Sequence, residues 1–383
     1  MPLAPELIES FKEQEAEFLE TFGRKPGRYD PVFFHKYYMS ETDMRRDMIK
    51  IMKAAGTPAS LVYAYRKTDR MVTKKSLNML TAAERAEWDA AIDEYYDRIE
   101  DGEDVDVFSD GGGLSDLLSD ALRKNQMVGG SFISHHFNRY RRRKGANSDV
   151  ESVVAFAATN FVRSLKSVHI LIEQDVAFDA YHLARSMYEN YLTVRYIYHR
   201  PRDSEVFFAQ LGTLLGTHKL AESKNGAPIS SEIIELEWGK RCKVPSRWAM
   251  ASTLGGVDQT LYQNLYRTLS SYAHSEITNI GHFLSDDGFD YLSQNFALDV
   301  LATCHLLCML FFSTLKQHSP CAAYLRGDLS TIAGRSLFAV YMVKEALAEQ
   351  GRTLPPVYDT AIASMIAADA RLAKVSLAIN QTN

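Results

Sequence analysis

Residues 176–199 read VAFDAYHLARSMYENYLTVRYIYH, and this stretch decides the fold. At 100° per residue, Phe178, Tyr181, His182, Arg185, Glu189, Leu192 and Tyr196 fall on one side of a helix, and Leu183, Met187, Tyr191, Val194 and Tyr198 on the other. Both sides are apolar or aromatic, which is the pattern of a helix inside a bundle. Arg185 and Glu189 are therefore expected to leave water together, and their i, i+4 spacing lets them pair. Removing one partner of a buried pair costs about 3–5 kcal/mol, so such a pair must meet further polar groups. Two readings follow. The pair either fixes the register of the helix, or it lines a site where Glu189 orients a catalytic His or a substrate hydroxyl and Arg185 neutralises a phosphate.

Outward from this helix, residues 148 to about 350 read as helix after helix, with turn signals at Asp175, Pro201, Gly226 to Pro228, Gly255-Gly256, Asp286 to Gly288 and Pro320. No sustained alternation of a half-buried strand is visible, which predicts an all-α helical bundle. Ser148 and Glu151 form a capping box that opens a long helix toward Gln174. Val300 to Leu315 (VLATCHLLCMLFFSTL) is apolar but contains His305 and is shorter than the roughly 20 residues of a spanning helix, so it reads as a core helix and no membrane association is expected. A final helix is expected over Pro356 to Leu377.

Toward the N-terminus the chain is charged, with helices expected over Pro5 to Phe22 and Ser40 to Ala55, and from Thr81, where Thr81 and Glu84 make a second capping box. Leu61 to Tyr65 (LVYAY) fits either a strand or a buried helical turn. The acids and glycines of Asp97 to Gly113 leave little to pack and mark a boundary. The expected organisation is a small helical N-terminal domain at 1–103, an acidic then basic linker at 104–147, the main bundle at 148–350 and a C-terminal helix at 351–383.

With 46% hydrophobic and 24% charged residues the chain is neither disordered nor fibrous. A net charge of -5 gives no global attraction to nucleic acid or anionic lipid, so any such binding needs a local patch. His135 to Lys144 (HHFNRYRRRK) supplies one: Arg139, Arg141, Arg142, Arg143 and Lys144 either grip RNA beside stacking aromatics or form a solvated loop. Cys242, Cys304, Cys308 and Cys321 follow no disulfide framework, and the N-terminus lacks the features of a signal peptide, so a cytoplasmic protein with reduced thiols is expected. Cys304, His305 and Cys308, with His318 and Cys321 beyond, raise the question of zinc, but their apolar surroundings read as core thiols. Neither a metal nor a cofactor is expected: no Gly-rich phosphate loop, G-x-S-x-G elbow or H-E-x-x-H is present.

A second helix, Thr260 to about Ile280 (TLYQNLYRTLSSYAHSEITNI), carries a docking stripe of Leu261, Leu265, Leu269 and Tyr272. Opposite it lie Arg267, Ser270, Ser271 and His274, which either form a solvated polar face or bring guanidinium, hydroxyl and imidazole together as phosphodiester chemistry requires.

The segments ARSMYENY (R-S-x-x-E) and LSSYAHSE (S-x-x-x-H), with the I-Y-x-x-P that follows the first, resemble a bacterial family of helical domains without an assigned function, over roughly residues 150 to 290. The stretch GTPASLVYAYRKT resembles a segment found upstream of that domain. The family in turn is distantly similar to the HEPN helical bundles, many of which are metal-independent ribonucleases of toxin-antitoxin and anti-phage abortive-infection systems. This resemblance implies a homodimer acting on RNA, with His274 moving the proton, Arg267 stabilising the pentacovalent phosphate, and Arg185, Glu189 and His182 behind them; a partner protein of a defence system is also implied. The alternative from the residues themselves is a non-catalytic sensor or scaffold that binds a nucleotide-like ligand or a protein partner.

Overall fold

The computed structural model describes residues 5–27, 30, 41–73, 76–77, 80–103, 105, 107, 114–137, 149–174, 176–273, 284–285, 288–289, 296–320 and 326–382. The protein is a helical bundle with two small antiparallel sheets among the described residues, and its contacts divide it into two compact units: Phe33–Gly113, and Met1–Val32 together with Leu114–Asn383.

In the smaller unit, α2 (Glu41–Ala54), α3 (Ala59–Thr68) and α4 (Ala82–Glu100) enclose Ile49, Met52, Val62, Tyr65 and Trp88. LVYAY is helical, lying within α3 with Val62, Ala64 and Tyr65 turned inward. The capping box at Thr81 forms, with Glu84 N donating to Thr81 Oγ1 at 3.3 Å and Thr81 N donating to Glu84 Oε2 at 2.8 Å.

The larger unit is built around α12 (Ala297–His318), whose residues Val300 to Leu315 are all buried. It packs against α5 (Leu114–Ser131), α7 (Ala180–His199) and α13 (Arg326–Glu349), while α6 (Asp149–Glu173) covers α5 and α7. By length and composition α12 is apolar enough to cross a membrane, yet 89% of its most apolar window is buried inside the bundle. Phe161 of α6 stacks on Phe311 of α12 with centroids 4.1 Å apart. Gly129 lets α5 come close: a Cβ there would stand 2.9 Å from both Phe312 and Val162, a distance no methyl group tolerates.

α1 (Pro5–Phe22) belongs to this larger unit, although the sequence reading groups it with the rest of residues 1–103. Its last carbonyls explain why. Arg335 Nη2 donates to Thr21 O at 2.7 Å and Glu20 O at 3.2 Å, and Arg335 Nη1 donates to Asn125 Oδ1 at 3.2 Å, so a side chain of α13 caps α1. Arg24 adds ion pairs to Asp30 at 2.5 Å and Asp328 at 2.7 Å.

Two further corrections concern the C-terminal half. The expected final helix is two, α14 (Val357–Ala368) and α15 (Ala370–Thr382), because Asp369 is extended and its Oδ1 accepts the Arg371 N–H at 3.0 Å, starting a new helix, while its Oδ2 accepts from Lys316 Nζ at 2.5 Å. The bundle region also contains strands. β1 (His218–Glu222), β2 (Pro228–Glu235) and β3 (Arg241–Lys243) form an antiparallel sheet in that order, with a bulge between Leu220 and Ala221, and β4 (Leu284–Ser285) pairs with β5 (Gly288–Phe289). In PISSEIIE the apolar residues stand at 229, 233 and 234, so period-2 alternation is broken and the strand signal is lost. The tight turn was legible: Asn225-Gly226 is a hairpin signature, and Gly226 takes φ +78°.

Candidate functional site

α7 begins after a single 3-10 turn, Ala177–Asp179, and passes through the bundle with Ala184, Met187, Tyr188, Tyr191, Leu192 and Val194 buried. Its remaining face is open. His182 is exposed, and the Arg185 and Glu189 side chains are 24% and 26% exposed. The expectation that the pair leaves water entirely is thus corrected: α7 is covered on most sides but not on this one, where it forms the wall of a cleft.

Arg185 Nε lies 3.4 Å from Glu189 Oε1, as their spacing predicts. The same oxygen accepts from the Tyr266 hydroxyl at 2.9 Å, and Oε2 accepts from Arg247 Nη2 at 3.2 Å. Arg185 Nη2 donates to the Tyr266 hydroxyl at 3.4 Å, and its guanidinium lies over the Tyr266 ring, 5.5 Å from the centroid. Burial and the adjacent Glu189 charge push the Tyr266 phenol above its ordinary pKa, so it remains a donor. Both oxygens of Glu189 are engaged by side chains from three helices.

The second helix holds Tyr266 in place. α9 (Arg247–Leu254), capped by Ser246, brings Arg247, and after Gly255 α10 (Gly256–Leu261) runs through a π-helical turn, Tyr262–Tyr266, into α11 (Arg267–Ala273). Leu261, Leu265 and Leu269 are buried, and Tyr272 packs on Tyr181 with centroids 4.5 Å apart. Asp258, 3% exposed, ties this helix to α7: its Oδ1 accepts from Tyr191 at 2.5 Å and its Oδ2 from Arg195 Nη2 at 3.1 Å, and its backbone carbonyl accepts from the Tyr188 hydroxyl at 3.4 Å. Burial and the Asp258 charge raise the Tyr191 and Tyr188 phenols, so both donate. Trp248, Tyr262, Tyr266 and Tyr188 continue the contact as successive ring pairs 5.3, 5.1 and 5.2 Å apart.

Glu189 and Arg247 stand at the edge of a cleft of about 470 Å³ between α6, α7, α8 (Ser204–Leu214) and α9. Phe156, Phe207 and Phe208 make its apolar wall, and Asn160, Asn190 and Gln210 bring an amide from each of α6, α7 and α8. Phe156 is 69% exposed, an unusual position for a large aromatic ring.

The other expected residues distribute as follows. Arg267 is exposed, and Ser270 and Ser271 are half-buried on the same helix, none of them within the Glu189 cluster. His274 and the basic residues Arg139, Arg141, Arg142, Arg143 and Lys144 lie outside the described residues. Cys304 and Cys308 are buried, and burial pushes the Cys304 thiol up to about 12. His305 is buried between them, held by Leu118 O at 3.0 Å from Nε2; burial lowers it to about 4. Among the described residues no three His, Cys, Asp or Glu side chains gather as a metal site.

Sequence reasoning missed Arg247, Tyr266, Asp258 and the cleft. Tyr266 was readable as an aromatic on a helix, but its partner lies 77 residues earlier, a separation that no local spacing encodes. It also missed a buried relay in which Ser119 Oγ lies 2.8 Å from His169 Nδ1 and His169 Nε2 lies 3.2 Å from Glu173 Oε1. That order suits a nucleophile, but Ser119 is 1% exposed and no substrate reaches it, so the relay ties α5 to α6.

No curated protein and no solved structure matches the chain. Residues 151–291, which contain the cleft wall and every member of the Glu189 cluster, match the model of a family of unknown function, DUF5677.

Proposed function

We propose that the protein is a helical ligand-binding module whose cleft between α6, α7, α8 and α9 takes a small organic molecule. One observation carries this reading: a carboxylate engaged through both oxygens by two arginines and a tyrosine stands at the edge of a concave, largely apolar space of about 470 Å³. Binding sites combine these features, an apolar wall that contributes affinity and a few fixed polar groups that orient the ligand. A helix register alone needs the Arg185–Glu189 pair but not the cleft beside it.

The test uses 1-anilinonaphthalene-8-sulfonate, an aromatic monoanion whose fluorescence reports entry into apolar space. Saturable one-to-one binding to the native protein, lost in Ser186→Trp with the circular dichroism spectrum unchanged, is the expected result. Binding that persists with the cleft filled, or no saturable binding at all, refutes the reading.

A second reading is RNA cleavage by Arg267 and His274 in a HEPN-like homodimer of a defence system. Its support is that Arg267 is exposed, as a residue that meets a phosphate must be. His274→Ala should abolish cleavage of a model RNA while shifting stability by less than about 1 kcal/mol. Cleavage retained in that variant removes this reading.

A further inference from the structure

This inference rests on the ligand-binding reading of the cleft and names what the cleft takes. We infer that the ligand is a planar nitrogen heterocycle carrying an anionic group, the chemistry of a nucleoside monophosphate, with its ring among the phenylalanines and its anion on Arg247.

Charge is the first argument. Arg247 brings a positive charge to the cleft lining, beside the Glu189 carboxylate that it meets at 3.2 Å. Three of the roughly four lone-pair sites of Glu189 are taken, Oε1 by Arg185 and Tyr266 and Oε2 by Arg247. Arg247 is different. It gives Nη2 to Glu189 and makes only a 3.8 Å contact from Nη1 to the Met250 sulfur, and its side chain is 34% exposed. Its fork of N–H groups is therefore held in direction by Glu189 and still open to an anion, in the planar geometry that phosphate and carboxylate oxygens match.

The wall is the second argument. Phe156, Phe207 and Phe208 offer faces and edges to a flat ring. An aliphatic tail would be satisfied by that surface alone and would leave the Asn160 amide and Asn190 Oδ1 stripped of water without partners, at a cost. A heterocycle edge has alternating donors and acceptors that such amides can match. Asn190 is already oriented: its Nδ2 donates to Ser186 O at 2.8 Å, which leaves Oδ1 as an acceptor, suited to an exocyclic amino group. The volume of about 470 Å³ has room for a base, its sugar and one phosphate.

Isothermal titration with AMP, adenosine, inorganic phosphate, octanoate and hexa-adenylate tests this. AMP is expected to bind at least ten times more tightly than adenosine, phosphate or octanoate. Arg247→Gln should weaken AMP at least tenfold and leave adenosine unchanged, whereas Asn190→Leu should weaken AMP and adenosine alike. Hexa-adenylate binding more tightly than AMP would make the terminal nucleotide of an RNA the source of the same chemistry, and weaker binding would make it a free nucleotide. Octanoate or phosphate equalling AMP, or Arg247→Gln leaving AMP binding intact, overturns the ligand class while the naphthalene dye still reports a working cleft. If the dye also fails to bind, the cleft reading itself falls.

Discussion

Asp258 holds more of the site together than any residue of the Glu189 cluster. Its carboxylate is buried, accepts from Tyr191 and Arg195, and joins α10 to α7, two turns before Tyr266 reaches Glu189. Replacing a buried charged partner leaves the other charge uncompensated, and Asp258→Asn is expected to cost about 3 kcal/mol. Urea denaturation followed by circular dichroism measures it; a loss below about 1 kcal/mol would show that Arg195 finds an equivalent partner. Glu189 is more exposed and its ion pairs correspondingly weaker, so its value lies in aiming Arg247 rather than in stability.

At the scale of elements, the bundle depends on how closely α5 approaches α12. Gly129 faces the Phe312 ring and Val162 with no room for a methyl group, and Phe312 belongs to the packed ring cluster of Phe161, Phe311 and Phe312. Gly129→Ala improves helix propensity by about 1 kcal/mol but overpacks the core by roughly 1–3 kcal/mol, so the net expectation is destabilisation. A rise in melting temperature would show that α5 shifts freely outward. The helix from Gly256 to Ala273 shows a different principle. Its π-helical turn brings Tyr262 and Tyr266 into a stack, while Leu261, Leu265 and Leu269 stay buried on both sides of it.

At the scale of the molecule, His305 links stability to pH. It sits at the centre of α12, fully buried, with Nε2–H donating to the Leu118 carbonyl, and burial lowers its pKa from 6.5 to about 4. Between those values the unfolded chain binds a proton that the folded chain refuses, so stability falls as pH drops from 6.5 toward 4, by up to about 3 kcal/mol. Asp120 and Asp369, held below their ordinary range despite burial by Arg123 and Lys316, add losses only at lower pH, as their carboxylates protonate. The window from pH 7 to 5 therefore holds histidine contributions, that of His305 and that of His318, which burial and Arg195 lower in the same direction, and the His305→Gln variant separates the two. Urea midpoints should fall across it in the native protein and fall less in His305→Gln; equal slopes would rule out this linkage.

Sequence by itself determined what depends on neighbours along the chain. The helical class, the capping box at Thr81, the Arg185–Glu189 pair and the inward stripe Leu261, Leu265 and Leu269 all follow from spacings of three or four residues, which backbone geometry converts directly into proximity. Tertiary structure decided the rest. That Arg335 caps α1 from more than three hundred residues away, that Arg247 and Tyr266 add hydrogen bonds to Glu189, and that four helices leave a cleft beside it are outcomes of packing. A polar side chain buried by folding must find a partner, but which partner it finds depends on which helix faces arrive together, and no local pattern carries that information.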